Sequence, residues 1–386
     1  MTGWRRPVGR AVPVILLATL LAWLGGGQAQ FGRIDPALAL PVLFPPLVLL
    51  AAWCCRDEAT ARRRALLVAA FGMVLAQAVL GMVLAGQLAW LQLALIATAS
   101  LAAGLLAETL MGWRPRWRML TWLVALLIAV GWFAASHAML ARLYRPAAAP
   151  ADAPVATVLT GLPLRWSGEA DLAAIIAGQR ADDPALVRLE AAGPLQLVDS
   201  LVEHRPPPGG TLLLAHPRAL APQELVAIDS FVRGGGKAVI LADALSSWPA
   251  AHPIGDPRNP PVTSLLTPLL DHWGVTLAAA NPDAPMVVAA DVDAARLLLA
   301  SAGRFERLPS ACREYADRHV ARCPIGGGEV WLVGDADLLF APLWTPAIPG
   351  AEHLRPADTM AWMAARLWPG AGVAPFSPLW IRSDAH

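Results

Sequence analysis

Five apolar stretches of close to 20 residues fill most of the first 143 positions, at 11–27, 37–55, 65–86, 88–110 and 119–142. A bilayer core of about 30 Å takes about 20 predominantly apolar helical residues to cross, so each stretch has the length of a span. The second holds Pro41, Pro45 and Pro46. These lack a backbone donor and should kink that span or confine its irregular backbone to a protein-lined place. Up to Leu143 the acidic residues are Asp35, Asp57, Glu58 and Glu108, whereas the rest reads like an ordinary globular domain. Only 15% of the 386 residues are charged, well under the quarter or so usual for soluble domains.

Arginine placement sets the expected orientation. Arg5, Arg6 and Arg10 precede the first span, Arg56, Arg62, Arg63 and Arg64 follow the second, and Arg114, Arg116 and Arg118 follow the fourth. The loops between, around Gln28 to Pro36 and Ala85 to Gln87, contain one basic residue, Arg33. By the positive-inside rule the N-terminus is cytoplasmic, and five spans place the C-terminal domain outside. In bacterial terms this is a multi-pass inner (plasma) membrane protein with a periplasmic domain. Gly27-Gln28-Ala29 would also pass as a signal-peptide cleavage site, and four remaining spans would leave the domain on the same side. Gln77, Gln92, Glu108 and His137 are the polar residues of the spans. They read as interhelical contacts or interfacial groups rather than a translocation route. Gly72-x-x-x-Ala76 and Gly81-x-x-x-Ala85 are spacings at which a second helix can approach closely.

Beyond Leu143 the chain carries 18 basic and 25 acidic residues, a net charge of −7 that argues against nucleic acid as a partner. An Ala/Pro-rich linker over 144–154 leads to a domain over 155–370 and a tail over 371–386. Strands are expected at Ala156 to Leu162, Gln196 to Val198, Thr211 to Ala215 and Ala238 to Ala242. Helices are expected at Asp171 to Ala177, Pro184 to Ala191 and Pro222 to Val232. This alternation indicates a parallel α/β sheet flanked by helices. Pro222 suits a first helical turn, Leu225, Ile228 and Val232 share one face, and Gly234 to Gly236 can supply a positive-φ stop. After a Pro-rich loop, a helix from Ser264 to Trp273 and a strand from Val275 to Ala279 precede an extra β-rich part. Its strands are Met286 to Ala290, Arg296 to Ala300 and Arg304 to Leu308, with a hairpin of Ala321 to Ile325 and Glu329 to Val333 turning at Gly326 to Gly328. A helix from Ala357 to Trp368 closes the domain.

His216-Pro217, Leu220-Ala-Pro-Gln-Glu224, Ile228, Phe231-Val-Arg-Gly-Gly235, the strand ending at Asp243 and the turn Gly334-Asp-Ala-Asp337 carry a resemblance. From Val155 to the neighbourhood of Phe340 the sequence resembles the auxiliary proteins of ABC transporters, the family that includes the gliding-motility auxiliary protein. The resemblance implies an extracytoplasmic domain like class I glutamine amidotransferases, and as partners an ABC permease and its ATP-binding subunit, besides the lipid bilayer.

An amidotransferase needs a thiolate on a strained strand-to-helix turn with a histidine in reach. None of the four cysteines is so placed, and the turn at Ala242 to Ser247 offers only Ser246 and Ser247. No enzymatic activity and no cofactor are therefore expected. Cys312 and Cys323 enclose a loop that an oxidising compartment would close as a disulfide. Their spacing to His319 fits no common zinc pattern, so no metal is expected. His216, Asp243, His252, Asp335 and Asp337 are the ligand-binding candidates, since α/β sheets place ligands at strand ends. The competing reading is that these aspartates cap turns and that His216 is a loop residue.

Overall fold

The computed structural model describes residues 5–25, 27–112, 118–165, 182–253, 255–256, 258–279, 283 and 285–382. The helix expected at Asp171 to Ala177, and Arg114 and Arg116, lie outside the described residues. The chain divides into two compact units. One comprises Met1–Arg145, Pro346–Arg355 and Ala374–His386, the other Pro146–Thr345 and Pro356–Val373.

Among the described residues of the first unit, four helices are long and apolar enough to cross a membrane: Pro7–Gly25, Ala59–Ala85, Trp90–Gly112 and Met119–Leu143. The proline-bearing segment is a broken pair, Pro36–Val42 and Phe44–Trp53, bent by 56°, and counts as a fifth span if taken as one. Breaking a helix frees carbonyls that lipid cannot satisfy. Here Trp132 Nε1 donates to the Leu40 carbonyl at 2.8 Å. The outward faces of the helices are apolar, as at Phe71 (70% exposed) and Leu127 (62%). Gly72 is where the helices Pro7–Gly25 and Ala59–Ala85 meet, because a Cβ there would lie 2.2 Å from Ile15 Cδ1. Of the polar span residues, Gln77 accepts from Gln28 Nε2 at 3.1 Å, Gln92 donates to the Ser377 carbonyl at 2.9 Å, and Glu108 pairs with Arg63.

The second unit is built on a seven-stranded sheet. In chain order its strands are β1 (Ala156–Thr160), β2 (Leu195–Leu197), β3 (Thr211–Ala215), β4 (Lys237–Leu241), β9 (Arg313–Tyr315), β10 (Val320–Ile325) and β11 (Gly328–Val333). Across the sheet the order is β2-β1-β3-β4-β11-β10-β9. The first five are mutually parallel, but β10 runs antiparallel to both β11 and β9. The sheet is therefore mixed, not the purely parallel sheet with a separate β-rich part that the alternation suggested. Val330 to Val333 are as buried as the central strands. This makes β11 an interior strand beside β4, and the turn at Gly326 (φ 60) brings it back antiparallel to β10. The remaining strands form two small antiparallel pairs, β5 (Thr276–Ala278) with β8 (Arg304–Arg307) and β6 (Val287–Val292) with β7 (Ala295–Ala300).

Alternating residues of β3 feed two cores. Leu213 and Ala215 face one that includes Leu186, Leu189, Met363 and Leu367 of the helices Pro184–Ala192 and Thr359–Leu367. Leu212 and Leu214 face another with Ile228 and Val232 of the helix Pro222–Arg233. That helix stops at Gly235 (φ 103), in the left-handed region that glycine tolerates.

The unit boundaries differ from the contiguous ones expected. Among the described residues past Ala374, Phe376, Leu379 and Trp380 are buried, and they belong to the first unit. Residues 146–154 lie with the α/β unit, where Ala147 N donates to the Val373 carbonyl at 2.8 Å and Ala149 N to the Ala192 carbonyl at 2.7 Å.

Candidate functional site

Three parallel strands, β3, β4 and β11, end at the same edge, and the next residues converge there. β3 runs into His216, a buried non-glycine residue at φ 49. The chain approaches so closely that a Cβ at Gly161, just past β1, would lie 2.5 Å from the His216 carbonyl oxygen. His216 Nε2 is 2.8 Å from the Pro261 carbonyl, and Nδ1 is 3.4 Å from the Asp243 amide nitrogen. The ring thus donates from Nε2 and accepts at Nδ1, the neutral form. Burial lowers its pKa and favours the same form.

Asp243, Asp335 and Asp337 are buried with carboxylate oxygens within 4.8 Å of one another, a spacing that a cation could bridge. Each carboxylate is already engaged. Asp243 accepts from Leu245 N at 2.9 Å and Ala336 N at 3.3 Å, and Asp335 from Ala300 N and Asp337 N, both at 2.7 Å. Asp337 accepts from the Ser246 and Ser247 hydroxyls, both at 2.8 Å, and from Ser247 N. The trio ties together the chain after β4, β7 and β11. Burial, then the neighbouring Asp337 charge, pushes the Asp243 carboxyl up to about 7. Burial and both neighbouring carboxylates hold Asp335 well above the ordinary range. Three like charges cannot all ionise so close together in a dry site, so the cluster holds protons near neutral pH.

The structure therefore brings His216, Asp243, Asp335 and Asp337 to one edge. His252 is not in the acidic group; it lies in the proline-rich loop, its backbone clasped by Asn259 at 3.0 and 2.9 Å. Ser246 and Ser247 donate to a carboxylate, and neither hydroxyl has a histidine base in its hydrogen bonds. A cavity of about 900 Å³ lies beside the cluster, lined by Leu245, Ser301, Arg304, Glu306 and His319 among others. Cys312 and Cys323 are joined by a disulfide with Cα atoms 4.2 Å apart, which clips the loop before β9 onto β10.

A second charged cluster, in the first unit, was not read from the sequence. Arg33 and Asp35 are fully buried and paired, and Arg33 also donates to the His353 carbonyl at 2.8 Å. Asp35 accepts from Leu379 N, and Arg355 donates to the Tyr144 carbonyl at 2.8 Å. Its one signal is that Arg33 and Asp35 are the charges of an otherwise uncharged loop.

Residues 195–307 match the family model described as an ABC-type uncharacterized transport system. The match supports the ABC-transporter auxiliary family and covers β2 through β8, including His216 and Asp243. No curated protein matches the chain. Among solved structures, the exo-β-1,4-mannosidase Op5Man5 from Opitutaceae bacterium strain TAV5 is 15% identical at a TM-score of 0.32, over 62% of this chain and 39% of the enzyme. A β-galactosidase from the Antarctic haloarchaeon Halorubrum lacusprofundi is 16% identical at 0.28, over 55% and 32%. That from Rahnella sp. R3 is 14% identical at 0.27, over 50% and 31%. The chain thus spans 39% or less of these enzymes' lengths, and at such scores the likeness carries no argument about fold or activity.

Proposed function

We propose that this chain is a non-catalytic auxiliary component of an ABC-type export system, held in the inner membrane with its N-terminus cytoplasmic. Its α/β unit, on the periplasmic side, serves for docking or ligand sensing. The family match over 195–307 carries this reading. The hydrogen bonding of the acidic cluster supports it: Asp243 and Asp335 accept from backbone amides and act as structural ties between loops. The permease and the ATP-binding subunit are the partners it implies, and the cavity beside Leu245 and Ser301 is where a sensed ligand would sit. Affinity purification of the full chain from its native membranes tests the proposal. An ATPase and a permease should co-elute, and their absence under mild solubilisation would refute it.

The approach of three carboxylates to within 4.8 Å favours one competing reading, a membrane-anchored hydrolase using the acidic cluster. Replacing Asp243, Asp335 and Asp337 by Asn separates the two. A hydrolase would lose its cellular function with the folded protein still present at normal levels.

A further inference from the structure

Between the helices Ala59–Leu80 and Trp90–Gly112 runs a groove of about 730 Å³. Its walls are apolar, with Leu66, Leu67, Leu101 and Leu105, and Gly104 leaves it open. A Cβ on Gly104 would meet nothing nearer than Leu66 Cβ at 3.9 Å. At one end stand Arg62 and Arg63, which share a single carboxylate: Arg63 Nε is 2.7 Å and Arg62 Nη2 3.6 Å from Glu108 Oε1. The Arg63 side chain remains 66% exposed, and two guanidinium groups face one carboxylate, so the mouth is net positive. Two polar atoms of these lining residues are buried without a hydrogen-bond partner, Arg62 Nε and the hydroxyl of the fully buried Ser100.

From this geometry we infer that the groove is a binding site for one anionic glycerophospholipid, its phosphate at Arg62 and Arg63 and an acyl chain along Leu66, Leu101 and Leu105. Guanidinium groups match phosphate in a bidentate fork, and basic pockets between spanning helices suit anionic headgroups. A glycerophospholipid also brings phosphate and ester oxygens, acceptors for the two unpartnered donors, on the same molecule as its apolar chains. A protein helix fits less well, since it would set a dry apolar surface against a mouth with excess positive charge. The inference rests on the membrane reading of the first unit. A chain released into the aqueous fraction by an alkaline wash would refute that reading itself, whatever its lipid preference.

The test uses the full chain in nanodiscs of equal phosphatidylglycerol and phosphatidylcholine, released into detergent and examined by native mass spectrometry. Phosphatidylglycerol should be retained in preference to phosphatidylcholine. Arg63→Gln should cut that preference about fivefold, the worth of one arginine near an anionic headgroup, and Arg63→Lys should keep most of it. Gly104→Leu fills the groove without a backbone clash and should abolish retention of both lipids at an unchanged melting temperature. Equal retention of the two lipids by the unsubstituted chain, or retention that survives Gly104→Leu, would overturn the inference. So would efficient disulfide crosslinking between copies carrying Leu105→Cys, which would assign the groove to a second copy.

Discussion

The two units offset their charged clusters in different ways. The membrane-type unit pairs unlike charges, Arg33 with Asp35 and Arg63 with Glu108, whereas the α/β unit gathers three like charges, Asp243, Asp335 and Asp337. The first solution sets each charge against an opposite one and depends on the partner. The second depends on backbone amides and protons. One is broken by removing a side chain, the other by raising the pH.

The largest effect should come from Asp35→Ala, which takes away the carboxylate paired with the fully buried Arg33. Breaking such a pair costs about 3–5 kcal/mol. Yield and melting temperature in detergent should fall sharply, while Asp35→Ala together with Arg33→Met should recover much of the loss. Full stability of the single variant would show that the pair is dispensable. Reducing Cys312–Cys323 should be the next largest. Opening a loop of this size costs about 2–3 kcal/mol. Denaturation followed by hydrogen exchange should show that loss in β10 and β11 and leave the membrane-type unit unchanged. Asp243→Asn should be smaller, about 1–3 kcal/mol at pH 5, because an amide nitrogen replaces one oxygen that accepts a backbone N–H. The same variant should flatten the pH dependence of stability, the sharpest contrast between the units.

Much of this was legible in the sequence because it rests on local rules. The apolar stretches have span length, the prolines at 41, 45 and 46 lie in a bent pair of helices, and Pro222 and Gly235 mark a helix's start and stop. Asp243, Asp335 and Asp337 were accessible because residues following parallel strands converge at one edge. What escaped is non-local. Nothing near β11 in sequence says that it pairs with β4, some ninety residues earlier, rather than with the small β pairs. Nor does the composition of 374–386 say that Leu379 will donate to Asp35. His252 follows no strand directly, and Asn259 holds its backbone within the proline-rich loop.

The measurement that tests the non-catalytic account most directly is the thermal stability of the full chain at pH 5 and pH 8, with and without Mg²⁺, Mn²⁺ or Ca²⁺. Asp243 has its folded pKa raised from 3.8 to about 7, so the stability it contributes is complete below 3.8 and lost as pH rises towards 7. The part of that loss between pH 5 and pH 7 is on the order of 3 kcal/mol. The melting temperature should be lower at pH 8 than at pH 5, a difference reduced by Asp243→Asn, and should not shift with any of the cations. Greater stability at pH 8 that depends on an added cation would contradict the non-catalytic account and make the cluster a metal site.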